Sequence, residues 1–433
     1  MAEPTSAYSF YDLILRVAKE AGIAYYGSSG NERAMIPIDA SDLELIKDVV
    51  NDGIKMFIED APANGWRWMR RIANISITGT RITGTADSAD STTIVDATLG
   101  DTYDTDDELV GYYCYILTGT GAGSYAKITG YTASTGTVDV ADWLDQYGNA
   151  GGTDPTTDDT FAITSVETVG GDIARYPLPE NFAGEINGRI EYAADSNHAT
   201  PIEWVDESLI RAYRSITVNS GYPLRAAVRP LEYINGEFGP KRRWELILDP
   251  KPNSSEVLTF PYTLHFDSMR LEAGDASAGD STSLTDDDLA NLYPDDYFNG
   301  WIIRIISGTG KNSYAIVTGY TGSSGKFAVA DWLAIDGSTG GTDPSSNSIY
   351  YVEPASNLHP AGFGFDEAVL AACMAKAEME IEDVTAGWVQ TYLQKALLKA
   401  YQKDARTAPR SLGSMNRKQR YTRERTWRDV TYN

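Results

Sequence analysis

Residues 111–159 return without a gap as residues 300–348, at a constant offset of 189 positions and with 25 identities in 49 pairs. Gly119-Thr120-Gly121 matches Gly308-Thr309-Gly310, and Thr129-Gly130-Tyr131-Thr132 matches Thr318-Gly319-Tyr320-Thr321. Val140-Ala141-Asp142-Trp143-Leu144 matches Val329-Ala330-Asp331-Trp332-Leu333, and Gly151-Gly152-Thr153-Asp154-Pro155 matches Gly340-Gly341-Thr342-Asp343-Pro344. Self-similarity this dense implies a duplicated module of about 80 residues. In the first copy, short β-type runs (Tyr112–Leu117, Tyr125–Ile128, Thr137–Val140, Thr160–Ile163) alternate with Gly/Asp/Ser turns. That pattern predicts a small barrel or sandwich with Trp143, or Trp332 in the second copy, at its core.

Charge follows the repeat. The net charge is −25, and residues 84–165 carry fourteen Asp/Glu against one Lys, a net of −13. Residues 273–353 carry eleven Asp/Glu against three Lys/Arg, a net of −8, so the two blocks supply −21 of the −25. From Arg406 to Asn433 the sign reverses to +6, with seven Arg and one Lys against Glu424 and Asp429. Two acidic blocks, a nearly neutral body and a basic tail result.

At 433 residues the chain has room for two or three domains. No apolar run approaches the roughly 20 residues of a membrane span. The opening MAEPTSAYSF lacks the basic-then-apolar layout of a secretory leader, so synthesis in a cytoplasm is expected. Only Cys114 and Cys373 occur, which excludes a disulfide framework.

Outside the modules (84–165 and 273–353) lie a body in three pieces, 1–83, 166–272 and 354–405, and the tail 406–433. The first piece reads as two helices. Phe10, Leu13, Ile14, Val17 and Ala21 share one face, with Gly22 as a stop. Ser41-Asp42-Leu43-Glu44 reads as a capping box opening the second helix, with Leu43, Ile46, Val50, Ile54 and Phe57 inward and Ala61-Pro62 ending it. The second piece reads as strands, Arg243–Asp249 and Val257–Phe266 alternating with period two, plus a short helix over Asp206–Arg214. The third reads as helices Phe365–Asp383 and Trp388–Asp404, and Ala371–Ala377 permits close helix approach. The fold class expected is α+β: a helical-bundle body with a small antiparallel β-region and two inserted all-β modules.

Motifs for chemistry are weak. Gly119-Thr120-Gly121-Ala122-Gly123 lacks the Lys-Ser/Thr of a phosphate loop, and the second copy has Asn312 in place of Gly123, so a tight turn is expected. His198, His265 and His359 are scattered, and no zinc site is expected. The acidic clusters Asp104–Glu108 and Asp286–Asp288 lack EF-hand spacing, differ between the copies and read as solvated loops. Cys373 sits in an apolar helical run and reads as core, as do Trp66 and Trp68 at a helix–strand junction. No metal, cofactor or catalytic residue is expected.

Two resemblances follow from these residues. The module, with its Gly-Thr-Gly-Ala-Gly turn, resembles the Ser-Gly-Thr-Gly-Ala-Gly type of β-domain inserted in many phage structural proteins. The body resembles phage head-to-tail connector (adaptor) proteins, including the tail tubular proteins of short-tailed phages. It does so through two leading helices, then Gly65-Trp66-Arg67-Trp68, Arg175-Tyr176-Pro177-Leu178-Pro179-Glu180-Asn181-Phe182, Arg242–Pro252, Leu258–Phe266 and a closing helix pair. Counted with the tail, this resemblance covers about 270 of 433 residues and leaves out the modules. It implies a ring, usually dodecameric, at the neck of a virion between portal protein and tail or nozzle protein, with genomic DNA passing through unbound and no membrane involved.

The tail keeps two readings. Arg417, Lys418, Arg420, Arg423, Arg425 and Arg428 interleaved with Tyr421 and Trp427 suit non-specific nucleic-acid binding. They equally suit docking on a partner ring, with the aromatics as anchors, and the resemblance favours docking on the portal. Rival functions are a carbohydrate-binding or decoration protein acting through the modules and, more remotely, a virion polysaccharide hydrolase.

Overall fold

The computed structural model describes residues 7–405 except 28–29, 147, 149, 187, 194–200, 235–240 and 382–386. Over these residues the fold is mixed α+β, with several helices and four sheets, antiparallel apart from one short parallel pairing of Glu203–Trp204 with Arg225–Ala226. The helices of nine residues or more are α1 (Phe10–Glu20), α2 (Ala40–Glu59), α3 (Glu207–Ile216), α4 (Asp366–Glu380) and α5 (Leu397–Ala405). The chain divides into two compact units, Met1–Trp68 with Asp267–Asn433, and Met69–Phe266. Each unit therefore contains one of the acidic repeats.

The first unit is organised by α1, α2 and α4. Ser9 caps α1 in a box with Asp12, each side chain satisfying a backbone N–H of the other. The box expected at Ser41 is not what opens α2. The cap is Asp39, whose carboxylate accepts from the N–H groups of Ser41 and Asp42, so Ser41 already lies in the first turn. A carboxylate beside the positive helix end is the better acceptor there. The inward faces are those the spacing indicated, except that Ala18 rather than Ala21 closes that of α1.

Helix α4 is buried along most of its length, and its alanines let α2 come close. At Gly53 a methyl group would lie 2.5 Å from Cys373 Cα and 2.8 Å from its backbone nitrogen. Alanine ordinarily gains about 1 kcal/mol over glycine inside a helix. Here the obstacle is backbone, which cannot swing aside, and overpacking of this kind costs about 1–3 kcal/mol or more. Gly53→Ala will therefore destabilise the first unit, by about 1–2 kcal/mol net; unchanged or raised protection in segment-resolved hydrogen exchange across 40–59 and 366–380 would show that the helices are not in contact at this point.

Glu378 at the end of α4 accepts from the N–H groups of Gly387, Trp388 and Val389, capping the helical segment that runs through a π-turn at Tyr392–Ala396 into α5. Trp66 stacks on Phe57 at 4.8 Å, is flanked by Trp68, Phe365 and Tyr401, and donates from Nε1 to the carbonyls of Phe57 and Ile58. The indole thus closes the last turn of α2, and it is 2% exposed.

In the second unit, two four-stranded sheets face each other. One runs Arg70–Ile77, Glu256–Leu264, Phe182–Ile186, with Glu191–Tyr192 also paired to Glu256–Leu264. The other runs Glu203–Trp204, Arg225–Ile234, Lys241–Asp249, Arg175–Pro177. Period-two alternation places Leu258, Phe260, Tyr262 and Leu264 of one against Tyr176, Leu246 and Leu248 of the other in a single core.

The two acidic repeats form seven-stranded sheets of corresponding strand order. The first runs Arg81–Thr85, Thr160–Thr164, Tyr113–Thr118, Tyr125–Thr132, Thr137–Val140, Thr93–Val95, Ser88–Ala89. The second runs Glu272–Asp275, Ile349–Glu353, Ile302–Ser307, Tyr314–Thr321, Lys326–Val329, Ser283–Thr285, Ala278–Gly279. Trp143 and Trp332 are fully buried at the centre of each core, and their Nε1 atoms donate to the carbonyls of Asp90 and Asp280.

The acidic clusters differ between the repeats as wholes, but single residues within them have counterparts. Asp106 and Asp107 correspond to Asp295 and Asp296 at the offset of 189. Asp106 accepts from Ala133 N at 2.9 Å and Asp295 from Gly322 N at 2.8 Å, while Asp107 and Asp296 accept from Tyr131 N and Tyr320 N. Upstream the offset becomes 190, aligning Asp90 with Asp280 and Asp96 with Asp286. These acidic residues hold backbone N–H groups of turns, while Asp104–Glu108, Asp287 and Asp288 stay exposed to solvent.

Candidate functional site

The surface of the second unit is most unusual at α3. Asp206 caps this helix through Ser208 N, and Ile210 points inward to Ala227 and Ile247. Leu209, Tyr213 and Ile216, spaced i, i+4, i+7, form the outer stripe and are 41%, 42% and 82% exposed. Val218, Tyr222 and Leu224 on the following segment are likewise exposed. An apolar helix face left uncovered by the described residues marks an interaction surface. Basic groups flank it: Arg211 is 72% exposed and pairs only loosely with Glu207 at 3.3 Å, and Arg225 lies over the Tyr213 ring at 4.3 Å.

A second apolar surface lies on the acidic sheet of the first unit. Ile302 and Ile316 are directly paired across Ile302–Ser307 and Tyr314–Thr321, and the Arg304 guanidinium lies 5.1 Å from the Tyr314 ring centre. Ile316 is 54% exposed and Ile335, two residues beyond the Leu333 that bridges to Tyr314, is 74% exposed. The corresponding positions of the first repeat are polar, Lys127 for Ile316 and Gln146 for Ile335.

In the second unit the same outer sheet face is partly covered. Tyr115 stacks on Tyr125 at 5.3 Å, and its hydroxyl accepts from Thr168 N at 2.7 Å. With Gln146, Glu167, Arg243 and Glu245 these residues line a cleft of about 400 Å³. Its floor is an ion triad: the buried Glu245 carboxylate takes Arg175 Nε at 2.9 Å and Arg175 Nη2 at 2.8 Å, and also pairs with Arg229 Nε. The Thr168 hydroxyl is buried and has no hydrogen-bond partner among the described residues.

The glycine turn holds its own anion. Asp159 Oδ1 accepts from Thr120 N at 3.0 Å, and Oδ2 from Gly121 N at 2.9 Å and Thr156 N at 3.1 Å. Burial pushes this carboxyl up, but the three N–H donors outweigh burial and hold it below the usual range. A phosphate has no room where an internal carboxylate already sits.

Both cysteines are buried, which pushes their thiols far above the usual range. Buried His359 lies 2.7 Å from Asp366, and no group of three or more His, Cys, Asp or Glu is placed to hold a metal among the described residues. No helix of the described residues is long and apolar enough to cross a membrane.

Of the residues singled out from sequence, Trp143 and Trp332 lie in separate cores, one in each unit. Arg417, Lys418, Arg420, Tyr421, Arg423, Arg425, Trp427 and Arg428 lie outside the described residues, as does His198. The α3 stripe was not singled out. Its spacing is visible in the sequence, but Ile210 competes for the inward face, and only tertiary packing shows which face is covered. No family model, curated protein or solved structure matches the chain.

Proposed function

We propose that this chain is a non-enzymatic structural subunit of a tailed-phage particle, a head-to-tail adaptor that assembles into a ring, dodecameric in keeping with its resemblance, between portal and tail. The two acidic sheets are copies of one duplicated module inserted in the adaptor body. The observation that supports the assembly reading is the apolar stripe of α3, exposed among the described residues, a surface of large side chains that gains most by meeting another protein. The charge segregation fits the same role, since an acidic lining does not retain DNA whereas phosphate binding needs Lys or Arg. The basic tail then docks on the portal with Tyr421 and Trp427 as anchors, and Arg suits planar pairing with carboxylates.

The purified chain, alone or mixed with its portal, is expected to form a closed ring by native mass measurement. Deleting residues 407–433 is expected to leave the ring intact and abolish attachment to portal-bearing heads. A chain that stays monomeric under both conditions overturns the adaptor reading. A truncated chain that still joins heads, yet loses DNA binding in a low-salt shift assay, makes the tail a nucleic-acid arm. A second reading, carbohydrate binding, draws on the cleft beside Tyr125, Gln146 and Glu167. Trp143 offers no sugar platform, being fully buried, so the test of that reading is glycan binding lost on Gln146→Ala and Glu167→Ala.

A further inference from the structure

Resting on the ring reading above, we infer that the subunit contact is heterologous: the α3 stripe of one copy seats on the Ile316/Ile335 face of the second acidic repeat of the next copy. A ring requires two different surfaces on each chain that fit each other, because a self-complementary patch stops at a dimer. Among the described residues both apolar surfaces are left exposed, and they differ in the charge around them. From Asp206 to Arg225 there are three Arg against one Asp and one Glu, a net of +1; Arg225 is paired with Asp249, and Arg211 projects beside the stripe. The second surface belongs to a repeat of net −8, and exposed Asp336 directly follows Ile335.

The internal repeat supplies a control that a single module could not. The two copies keep Gly, Asp and Trp at their turns and cores, so shared positions report folding. Positions that diverge on the surface report what only one copy does. Ile316 stands where the first copy has Lys127, and Ile335-Asp336 stand where it has Gln146-Tyr147. Exposed isoleucines cost solubility with no folding return, since their partner positions fold well with Lys and Gln. Their presence in the second copy alone is the mark of a contact made there and not in the first. Apolar centres ringed by opposite charges are how such contacts gain both affinity and orientation.

The test uses two variants of the full chain, Ile216→Glu to spoil the stripe and Ile335→Glu to spoil the module face. Both sites are exposed, so circular dichroism and melting should match the unaltered chain. Under conditions where the unaltered chain forms rings, each variant alone is expected to be monomeric, with self-association weakened at least tenfold. Mixed in equal amounts, the two are expected to form 1:1 dimers and nothing larger, because each retains the surface that the other lacks. A charge exchange gives an independent arm: Arg211→Glu and Asp336→Arg each weaken association at least tenfold, and the double variant recovers to within threefold. If the unaltered chain forms rings but either isoleucine variant does too, or if the mixture stays monomeric, the contact is elsewhere and the ring reading survives. If the unaltered chain never forms a ring, both fall.

Discussion

Trp143→Ala will unfold the acidic sheet of the second unit, and Trp332→Ala that of the first, at a cost of about 3–5 kcal/mol each, as expected for emptying a buried indole site. Both side chains are fully buried among aliphatic and aromatic neighbours, with Tyr131, Phe161 and Ile128 in the first core and Tyr320, Phe327 and Phe298 in the second. Each substitution also leaves a carbonyl, that of Asp90 or Asp280, without its indole donor, which adds about 1 kcal/mol or more when the group stays dry. Because the chain divides into two compact units, one denaturation midpoint is the wrong readout. Hydrogen exchange resolved by segment is the right one. Protection should fall across 84–165 for Trp143→Ala and across 273–353 for Trp332→Ala. Loss of both regions from either change would mean that the sheets unfold together, and full protection would mean that the indoles fill no core.

The repeat was legible in the sequence because its constraints are local. Gly119 and Gly308 need positive φ, and Gly136 and Gly325 sit in the same conformation with a carbonyl, of Asp96 or Asp286, close against them. A side chain at such positions is excluded by geometry, so the same letters recur and the offset shows. The helix faces of α1 and α2 were legible for a similar reason, since periodicity records burial directly. Caps were less so. Asp39, Ser41 and Asp42 all offer side-chain oxygens within one turn, and which of them takes the cap depends on where the preceding chain enters.

The assembly surfaces are the least visible part. Leu209 and Ile210 are adjacent and equally apolar, yet one faces solvent and the other the core, a distinction made by where the strand Lys241–Asp249 lies. Likewise Ile316 reads as one more strand residue in a run of five, Tyr314-Ala315-Ile316-Val317-Thr318. Only its exposure, set beside that of its counterpart Lys127, makes it stand out. The ion triad of the cleft joins residues 175, 229 and 245 from three strands, and no spacing rule connects them.

That triad supports the remaining large effect. Glu245 lies directly across from Arg229 in the antiparallel pairing of Arg225–Ile234 with Lys241–Asp249, and Arg175 reaches the same carboxylate from the neighbouring strand. The carboxylate side chain is fully buried, whereas Arg175 and Arg229 are 28% and 39% exposed. Glu245→Ala removes the partner and leaves two partly exposed guanidinium groups facing each other across the cleft. Breaking a buried ion pair from one side costs about 3–5 kcal/mol. The exposure of both arginines and the second partner of Arg229, Glu207 at 3.2 Å, place the expected loss near the lower end, about 3 kcal/mol. Two controls fix the cause. Glu245→Gln keeps the shape and two hydrogen-bond acceptor sites on its oxygen, and should lose about 2 kcal/mol, less than alanine, because charge goes but packing stays. Glu245→Leu combined with Arg175→Met and Arg229→Met removes every charge and keeps the volume, and should recover most of the stability, since such a triad is weak when judged against apolar replacements. Segment-resolved exchange across 175–249 measures all three. A triple variant no better than Glu245→Ala would show that the carboxylate matters through its shape and not through the charges that it holds apart.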